Sequence, residues 1–133
     1  MNIALMAHDR KKELMVQFCI AYCGILSKHS ICATSTTGKL VSEATGLPVT
    51  RYLTCSQGGN QQIGALIAYN ELYLVIFFSD AQSKESIAEV AEICMLCDQH
   101  NIPFASNVAT AECLIRGLKE GYLDWRNIIN HKK

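Results

Sequence analysis

The chain has 133 residues, of which half are hydrophobic, and its 12 basic residues balance its 12 acidic ones. This length fits one domain, residues 1–133, with a sizeable core, and the zero net charge gives no electrostatic reason to expect nucleic acid as a partner. No apolar run reaches the roughly 20 residues of a membrane-spanning helix, and no basic segment precedes the apolar start as it would in a signal peptide. We therefore expect a cytoplasmic protein without a membrane partner.

The first half of the chain alternates apolar runs with helical spacing. It predicts strands at Asn2–Ala7 and Ile31–Thr34, and helices from Lys11 to Lys28 and from Thr36 to Thr45. Asp9 stands where the N-cap of the first helix belongs. Gly46 follows the second helix, and glycine is the usual residue just beyond a helix C-terminus.

The second half continues the same alternation. It predicts strands at Val49–Thr54, Leu72–Phe78 and Ile102–Ala105, and helices at Asn60–Tyr69, Glu85–Gln99 and Thr110–Lys119. The run Leu72–Phe78 is continuous and apolar, as expected for a strand that is covered on both faces. A polar segment that contains Trp125 follows the last helix.

Five strands separated by helices predict parallel pairing with right-handed crossovers. The fold class is therefore α/β: a single three-layer, doubly wound domain with a five-stranded parallel sheet. In such folds ligands bind at the carboxyl ends of the strands, where loops meet the N-termini of helices.

The seven cysteines mostly stand on apolar faces, where a reduced cysteine packs as a small hydrophobic side chain. Cys94 and Cys97 have the CxxC spacing, but no second pair or histidine cluster completes a zinc site. The sequence therefore predicts core packing for this pair and no metal centre.

Hydroxyl side chains collect at the end of the second predicted strand. Thr34, Thr36 and Thr37 surround a helix start, where hydroxyl and backbone N–H groups can bind an anion. Lys12 could add a positive charge. Taken alone, the threonines fit ordinary caps and turns as well.

Two titratable side chains also end strands. His8 follows the first strand and fits either a structural hydrogen bond or acid–base chemistry. Asp80 closes the most apolar strand, where a carboxylate needs partners to stay charged. It fits an orienting group in a site or a cap for the following helix.

Taken together, the segments resemble methylglyoxal synthase. The likeness runs from residue 2 to about residue 129. The segments that carry it are Ala7-His8-Asp9 with Lys12, Ala33-Thr34-x-Thr36-Thr37-Gly38, Gly58-Gly59-x-Gln61-Gln62-Ile63-Gly64-Ala65, Phe77-Phe78-x-Asp80, Asn101-Ile102-Pro103 and Asn107-Val108-Ala109-Thr110.

The resemblance implies a reaction without metal or organic cofactor. In that family a carboxylate takes a carbon-bound proton from dihydroxyacetone phosphate, and the resulting ene-diolate expels inorganic phosphate to leave methylglyoxal. It also implies assembly as a homohexamer and a phosphate-binding set of Lys12, Thr34, Thr36, Thr37, Thr54 and Cys55.

The sequence departs from the family pattern inside the site. The family's base is the aspartate of Gly-Gly-Asp-Gln-Gln, and Asn60 stands in its place. The family's active-site histidine has no counterpart between residues 81 and 99. An amide is not a base at neutral pH, so a working enzyme needs a substitute, for which Asp80, Glu89 and His8 are the candidates. Glu89 corresponds to the acidic residue that follows the missing histidine.

Three functions remain open from the sequence. The chain could be a phosphate-eliminating lyase with a substitute base. It could be a catalytically silent sensor or regulatory subunit that keeps the phosphate site. It could also catalyse a related elimination or isomerisation on another phosphorylated keto compound.

Overall fold

The computed structural model describes residues 2–54 and 57–125, so Cys55 and the end of the chain lie outside the described residues. The strands within these ranges are β1 (Asn2–Ala7), β2 (Ser30–Thr34), β3 (Val49–Tyr52), β4 (Leu74–Phe78) and β5 (Phe104–Ala105). The helices are α1 (Lys12–Ala21), α2 (Cys23–Leu26), α3 (Ser35–Thr45), α4 (Gly59–Ala68), α5 (Lys84–Gln99) and α6 (Val108–Lys119). In the same ranges no helix combines the length and the apolar character needed to cross a bilayer.

The five strands form one sheet in the order β3-β2-β1-β4-β5, and every neighbouring pair is parallel. The chain builds outward from β1 to β3 and then crosses to the other side of β1 to form β4. The predicted five-stranded parallel α/β sheet is confirmed. The strand order reverses between β1 and β4, which is where ligands bind in sheets of this type.

Helices cover both faces of the sheet and enclose two cores. On one face Ile3, Leu5 and Ile76 pack with side chains of α1, α3 and α6. On the other face Ala4 and Phe77, among others, pack with side chains of α4 and α5. All five residues of β4 are buried, as its unbroken apolar run predicts.

The cysteines with raised pKa values belong mainly to these cores. Cys19 and Cys97 are fully buried, and the described cysteines form no disulfide. Burial raises the pKa of the Cys19 thiol to about 12 and that of Cys32 to about 11. Because the thiolate is the reactive form, both are poor nucleophiles at neutral pH.

The start of the first helix corrects the expected cap at Asp9. A short 3-10 helix, Asp9–Lys11, follows β1 directly, and the Lys11 N–H donates to the His8 carbonyl at 2.8 Å. Helix α1 therefore begins at Lys12, and its N-cap is Lys11 rather than Asp9. The Asp9 carboxylate does not cap the helix and instead accepts a hydrogen bond from the Lys12 ammonium.

The helix expected from Lys11 to Lys28 is interrupted at Tyr22, between α1 and α2. The Tyr22 hydroxyl donates to Glu112 Oε2 at 2.7 Å, a contact 90 positions away in the chain that local periodicity cannot reveal.

The last strand is shorter than expected, since Ile102 and Pro103 precede it. Pro103 has no N–H for a sheet ladder, but its carbonyl accepts from the Val75 N–H at 3.0 Å.

Two glycines shape the start of α4. Gly58 has φ +104°, in the left-handed region that glycine tolerates best. At Gly59 a Cβ atom would collide with the carbonyl of Leu53 and lie 2.8 Å from that of Thr54. The Gly59 N–H donates to Thr54 O at 2.8 Å, so helix and strand end are in backbone contact. This contact fixes the position of the helix start and therefore of the next residue, Asn60.

Gly59→Ala should therefore lower the free energy of unfolding by about 1–3 kcal/mol. The added methyl group would collide with backbone atoms, and no side-chain movement could relieve the collision. Urea unfolding of the full chain measures the change. The matched control is Gly24→Ala, where a Cβ meets nothing within 4 Å. An equal effect in the two variants would contradict the close approach at Gly59.

Candidate active site

A polar cleft of about 360 Å³ opens at the carboxyl end of the sheet, beside the point where the strand order reverses. Its lining residues come from the last residues of β1 and β2, from the segments that follow β1, β2 and β3, and from the first two turns of α5. They are Ala7, His8, Asp9, Lys12, Thr34, Thr36, Thr54, Glu85 and Glu89. Six of the predicted site residues thus share one cleft. They are His8, Lys12, Thr34, Thr36, Thr54 and Glu89.

Lys12 supplies the positive charge of the cleft. Its ammonium donates to the Ala7 carbonyl at 3.0 Å and lies 2.7 Å from Asp9 Oδ1. The Lys12 side chain is only 16% exposed, whereas that of Asp9 is 99% exposed. The hydrogen bond from Lys12 and its charge hold the pKa of the Asp9 carboxyl below its usual value.

The start of α3 also lines the cleft, through Thr34 and Thr36. Thr34 is its N-cap, and the Thr34 side chain makes no capping hydrogen bond. The first backbone N–H groups of a helix have no partner within the helix, and they favour an anion. Thr36 is exposed, but Thr37 is buried, and the Thr37 hydroxyl has no hydrogen-bond partner among the described residues. Thr37 does not line the cleft.

A carboxylate, Glu89, lines another part of the cleft. Glu89 Oε1 lies 2.8 Å from His8 Nε2, and Glu89 Oε2 accepts a hydrogen bond from Asn60 Nδ2 at 3.1 Å. The distance between His8 and Glu89 is that of an ion pair, but the angles are not those of a hydrogen bond. Among the described residues, His8 Nε2 has no hydrogen-bond partner. The His8 ring stacks on Phe77, with 5.8 Å between centroids and 10° between planes.

Asn60 lies next to this carboxylate without lining the cleft itself. It is the second residue of α4, directly after the close approach at Gly59. An ionised carboxylate accepts hydrogen bonds only, so the amide nitrogen must be the atom that faces Glu89. The amide oxygen is buried and has no hydrogen-bond partner within the described ranges.

Asp80 forms part of the turn that leads into α5. Its Oδ1 accepts from the Gln82 N–H at 3.0 Å, and its own N–H donates to Ser86 Oγ at 2.8 Å. The exposed Arg10 side chain lies 3.8 Å from its other oxygen. Asp80 is not among the residues that line the cleft. Its contacts are those of a turn-forming residue before a helix.

Sequence reasoning missed two acidic residues of the cleft: Asp9, which was expected to be a helix cap, and Glu85. Glu85 lies four positions before Glu89 in α5, a spacing that places two side chains on the same face of a helix. That spacing was a signal available from the sequence. Among the described residues, no three histidine, cysteine or acidic side chains are arranged to hold a metal ion.

The parallel sheet, its strand order and the polar cleft at the reversal point define a three-layer α/β domain. The family model described as MGS-like domain matches residues 15–106. The chain is 59% identical over 135 residues to the methylglyoxal synthase of Caldicellulosiruptor saccharolyticus, covering 99% of this chain and 94% of that protein. It is 54% identical over 131 residues to that of Lysinibacillus sphaericus, covering 96% of each.

A solved structure gives the same result. The crystal structure of methylglyoxal synthase from Elizabethkingia anophelis NUHP1 matches with a TM-score of 0.79 and 39% identity, over 86% of this chain and 76% of that one. The chain therefore belongs to the methylglyoxal synthase family, and the resemblance inferred from the sequence is confirmed.

The contacts of Asp80 predict a structural effect that depends on its acceptor oxygen. Asp80→Leu should lower the free energy of unfolding by about 1–3 kcal/mol, since the Gln82 N–H loses its acceptor in a partly buried hydrogen bond. Asp80→Asn keeps an oxygen there and should lose less than Asp80→Leu. Denaturant unfolding compares the two, with the exposed Asp98→Leu as control. If Asp80→Asn is as unstable as Asp80→Leu, the charge rather than the turn is what matters.

Proposed function

We propose that the chain binds dihydroxyacetone phosphate in this cleft and eliminates inorganic phosphate to form methylglyoxal, which makes it a carbon–oxygen lyase. One observation carries the proposal. A single cleft brings together a cation beside a helix N-terminus, which suits a phosphate group, and a carboxylate, which suits proton abstraction. Membership of the methylglyoxal synthase family supports the same reaction.

Phosphate recognition rests on Lys12 and the start of α3. The Lys12 ammonium is largely buried and is held by the Ala7 carbonyl and the Asp9 carboxylate. It is thus already ordered before a ligand arrives, and its remaining hydrogen can point at a phosphate oxygen. Thr34 and Thr36 line the adjoining wall. Charge-assisted hydrogen bonds of this kind are about twice as strong as neutral ones.

The dimensions of the cleft favour a small ligand. Its volume of about 360 Å³ is near the lower end of the roughly 300–1,000 Å³ found for small-molecule pockets. Its lining is mostly polar, and among the residues that the structure describes Lys12 is the only lysine or arginine in it. A three-carbon compound with one phosphate group matches both the size and the single cation.

Elimination also needs a base in reach of the carbon-bound proton. Losing a positioned base costs about 10²- to 10⁴-fold in rate, and Asn60 cannot serve. Of the three candidates, His8 and Glu89 line the cleft and Asp80 does not. A carboxylate is therefore still present in the cleft although position 60 carries an amide. The mechanism requires no metal or organic cofactor.

A second candidate function is a silent sensor or regulatory subunit for a phosphorylated ligand. The amide at Asn60 favours it, because the family places its catalytic carboxylate at that position. A related elimination or isomerisation of another phosphorylated keto compound would use the same groups. Assembly as a homohexamer is a further expectation from family membership.

The deciding experiment incubates the full chain with dihydroxyacetone phosphate and follows methylglyoxal and inorganic phosphate together. We expect the two products to appear in equal amounts. Binding of the substrate without either product would contradict the lyase and leave the sensor. Absence of binding would contradict both functions.

Lys12→Met should weaken binding of inorganic phosphate by about 10- to 100-fold, because hydrogen bonds to charged groups contribute about 1.5–3 kcal/mol. Isothermal titration calorimetry with inorganic phosphate measures the affinity. Lys39→Met is the matched control, since Lys39 is an exposed lysine of α3 outside the cleft. Equal losses in the two variants would show that phosphate responds only to overall charge.

A further inference from the structure

The family's base position and this chain's carboxylate lie side by side. Asn60 Nδ2 is 3.1 Å from Glu89 Oε2, yet Glu89 lines the cleft and Asn60 does not. From this geometry we infer that the two positions have exchanged roles: Glu89 is the catalytic base, and Asn60 is the positioning residue that holds it. The inference rests on the proposed elimination and names the group that starts it.

Two neighbours define the orientation of the Glu89 carboxylate. Asn60 donates to one oxygen, and the His8 ring, held against Phe77, lies 2.8 Å from the other. Since an ionised carboxylate has about four acceptor sites, these contacts leave lone pairs for a proton from the ligand. The Glu89 side chain is 31% exposed, so a ligand in the cleft can reach it.

The reaction then balances with Glu89 carrying one proton. The carboxylate removes a proton from the hydroxymethyl carbon of dihydroxyacetone phosphate, and the C–H electron pair forms the ene-diolate. A lone pair of the hydroxyl oxygen then forms the aldehyde C=O, and the carbon–carbon double bond shifts toward the ester carbon. Phosphate leaves with the electron pair of the broken C–O bond. The hydroxyl proton departs with phosphate. Glu89 returns its proton to the former ester carbon, which becomes the methyl group.

The distance of 3.1 Å between Asn60 and Glu89 also explains why an amide suits position 60. An aspartate there would bring two carboxylates to about 3 Å, where like charges share one proton and one pKa rises strongly. An amide avoids this and still donates a hydrogen bond. The other charged groups at the cleft are His8, Asp9 and Lys12 at the end of β1, and Glu85 on the helix of Glu89. Of these, only His8 is within ion-pair distance of Glu89.

The test separates proton removal from elimination. Wild type and variants are incubated with dihydroxyacetone phosphate in deuterated water, and NMR follows both deuterium uptake at the hydroxymethyl carbon and phosphate release. Glu89→Gln should slow proton removal, measured as the sum of deuterium uptake and phosphate release, by about 10²- to 10⁴-fold, while inorganic phosphate binds as before. Glu92→Gln, an exposed charge change on the same helix outside the cleft, is the control.

Two further variants test the exchange of roles. Asn60→Asp should move the acid limb of the pH–rate profile to higher pH by about one unit or more, since the two carboxylates titrate as a pair. The double variant Asn60→Asp with Glu89→Gln moves the carboxylate to the residue that does not line the cleft, and it should be no faster than Glu89→Gln alone.

Normal uptake by Glu89→Gln would overturn the inference, as would a gain at neutral pH in Asn60→Asp that does not depend on residue 89. A wild type that neither takes up deuterium nor releases phosphate would also overturn it. Uptake that depends on Glu89 without phosphate release would support the base assignment and contradict the proposed elimination.

Discussion

The parallel pairing of β1 with β4 is the constraint on which the rest of the molecule depends. The two strands are in register from Ile3 opposite Leu74 to Ala7 opposite Phe78, and the His8 N–H continues the ladder to the Phe78 carbonyl at 3.2 Å. Both strands end at the same height, and the strand order reverses between them. The loops that follow therefore diverge and leave a cleft between the two helical layers.

The cleft combines opposite charges on rigid elements. Lys12 begins α1 after the short 3-10 helix that follows β1, and Glu89 lies in α5 after β4, so each charge is positioned by one of the two central strands. Asn60 is positioned by the close backbone contact between the preceding residue, Gly59, and the carbonyls of Leu53 and Thr54. The hydrogen bond from Asn60 to Glu89 ties α4 to α5 at the rim of the cleft. A substitution at position 60 thus changes a hydrogen-bond partner of Glu89 but leaves the Glu89 carboxylate in the cleft.

Local pattern was sufficient for the elements of the fold but not for the contacts between them. The strand Asn2–Ala7 is confirmed at both ends, because an apolar run bounded by polar residues marks a buried strand by itself. Tyr22 bonds to Glu112, 90 positions away, and Asn60, a partner of Glu89, lies 29 positions away in another helix. Such contacts follow from how α4 packs on α5 and α1 on α6. The sequence therefore indicated Glu89 as a candidate base without indicating what holds it.

The most direct measurement is a crystal structure of the chain with dihydroxyacetone phosphate bound. The account predicts the phosphate group against Lys12 and the start of α3, and the hydroxymethyl carbon about 3–3.5 Å from a Glu89 oxygen, the distance of a reactive conformer. A phosphate group bound elsewhere, or a ligand whose hydroxymethyl end points away from Glu89, would contradict it.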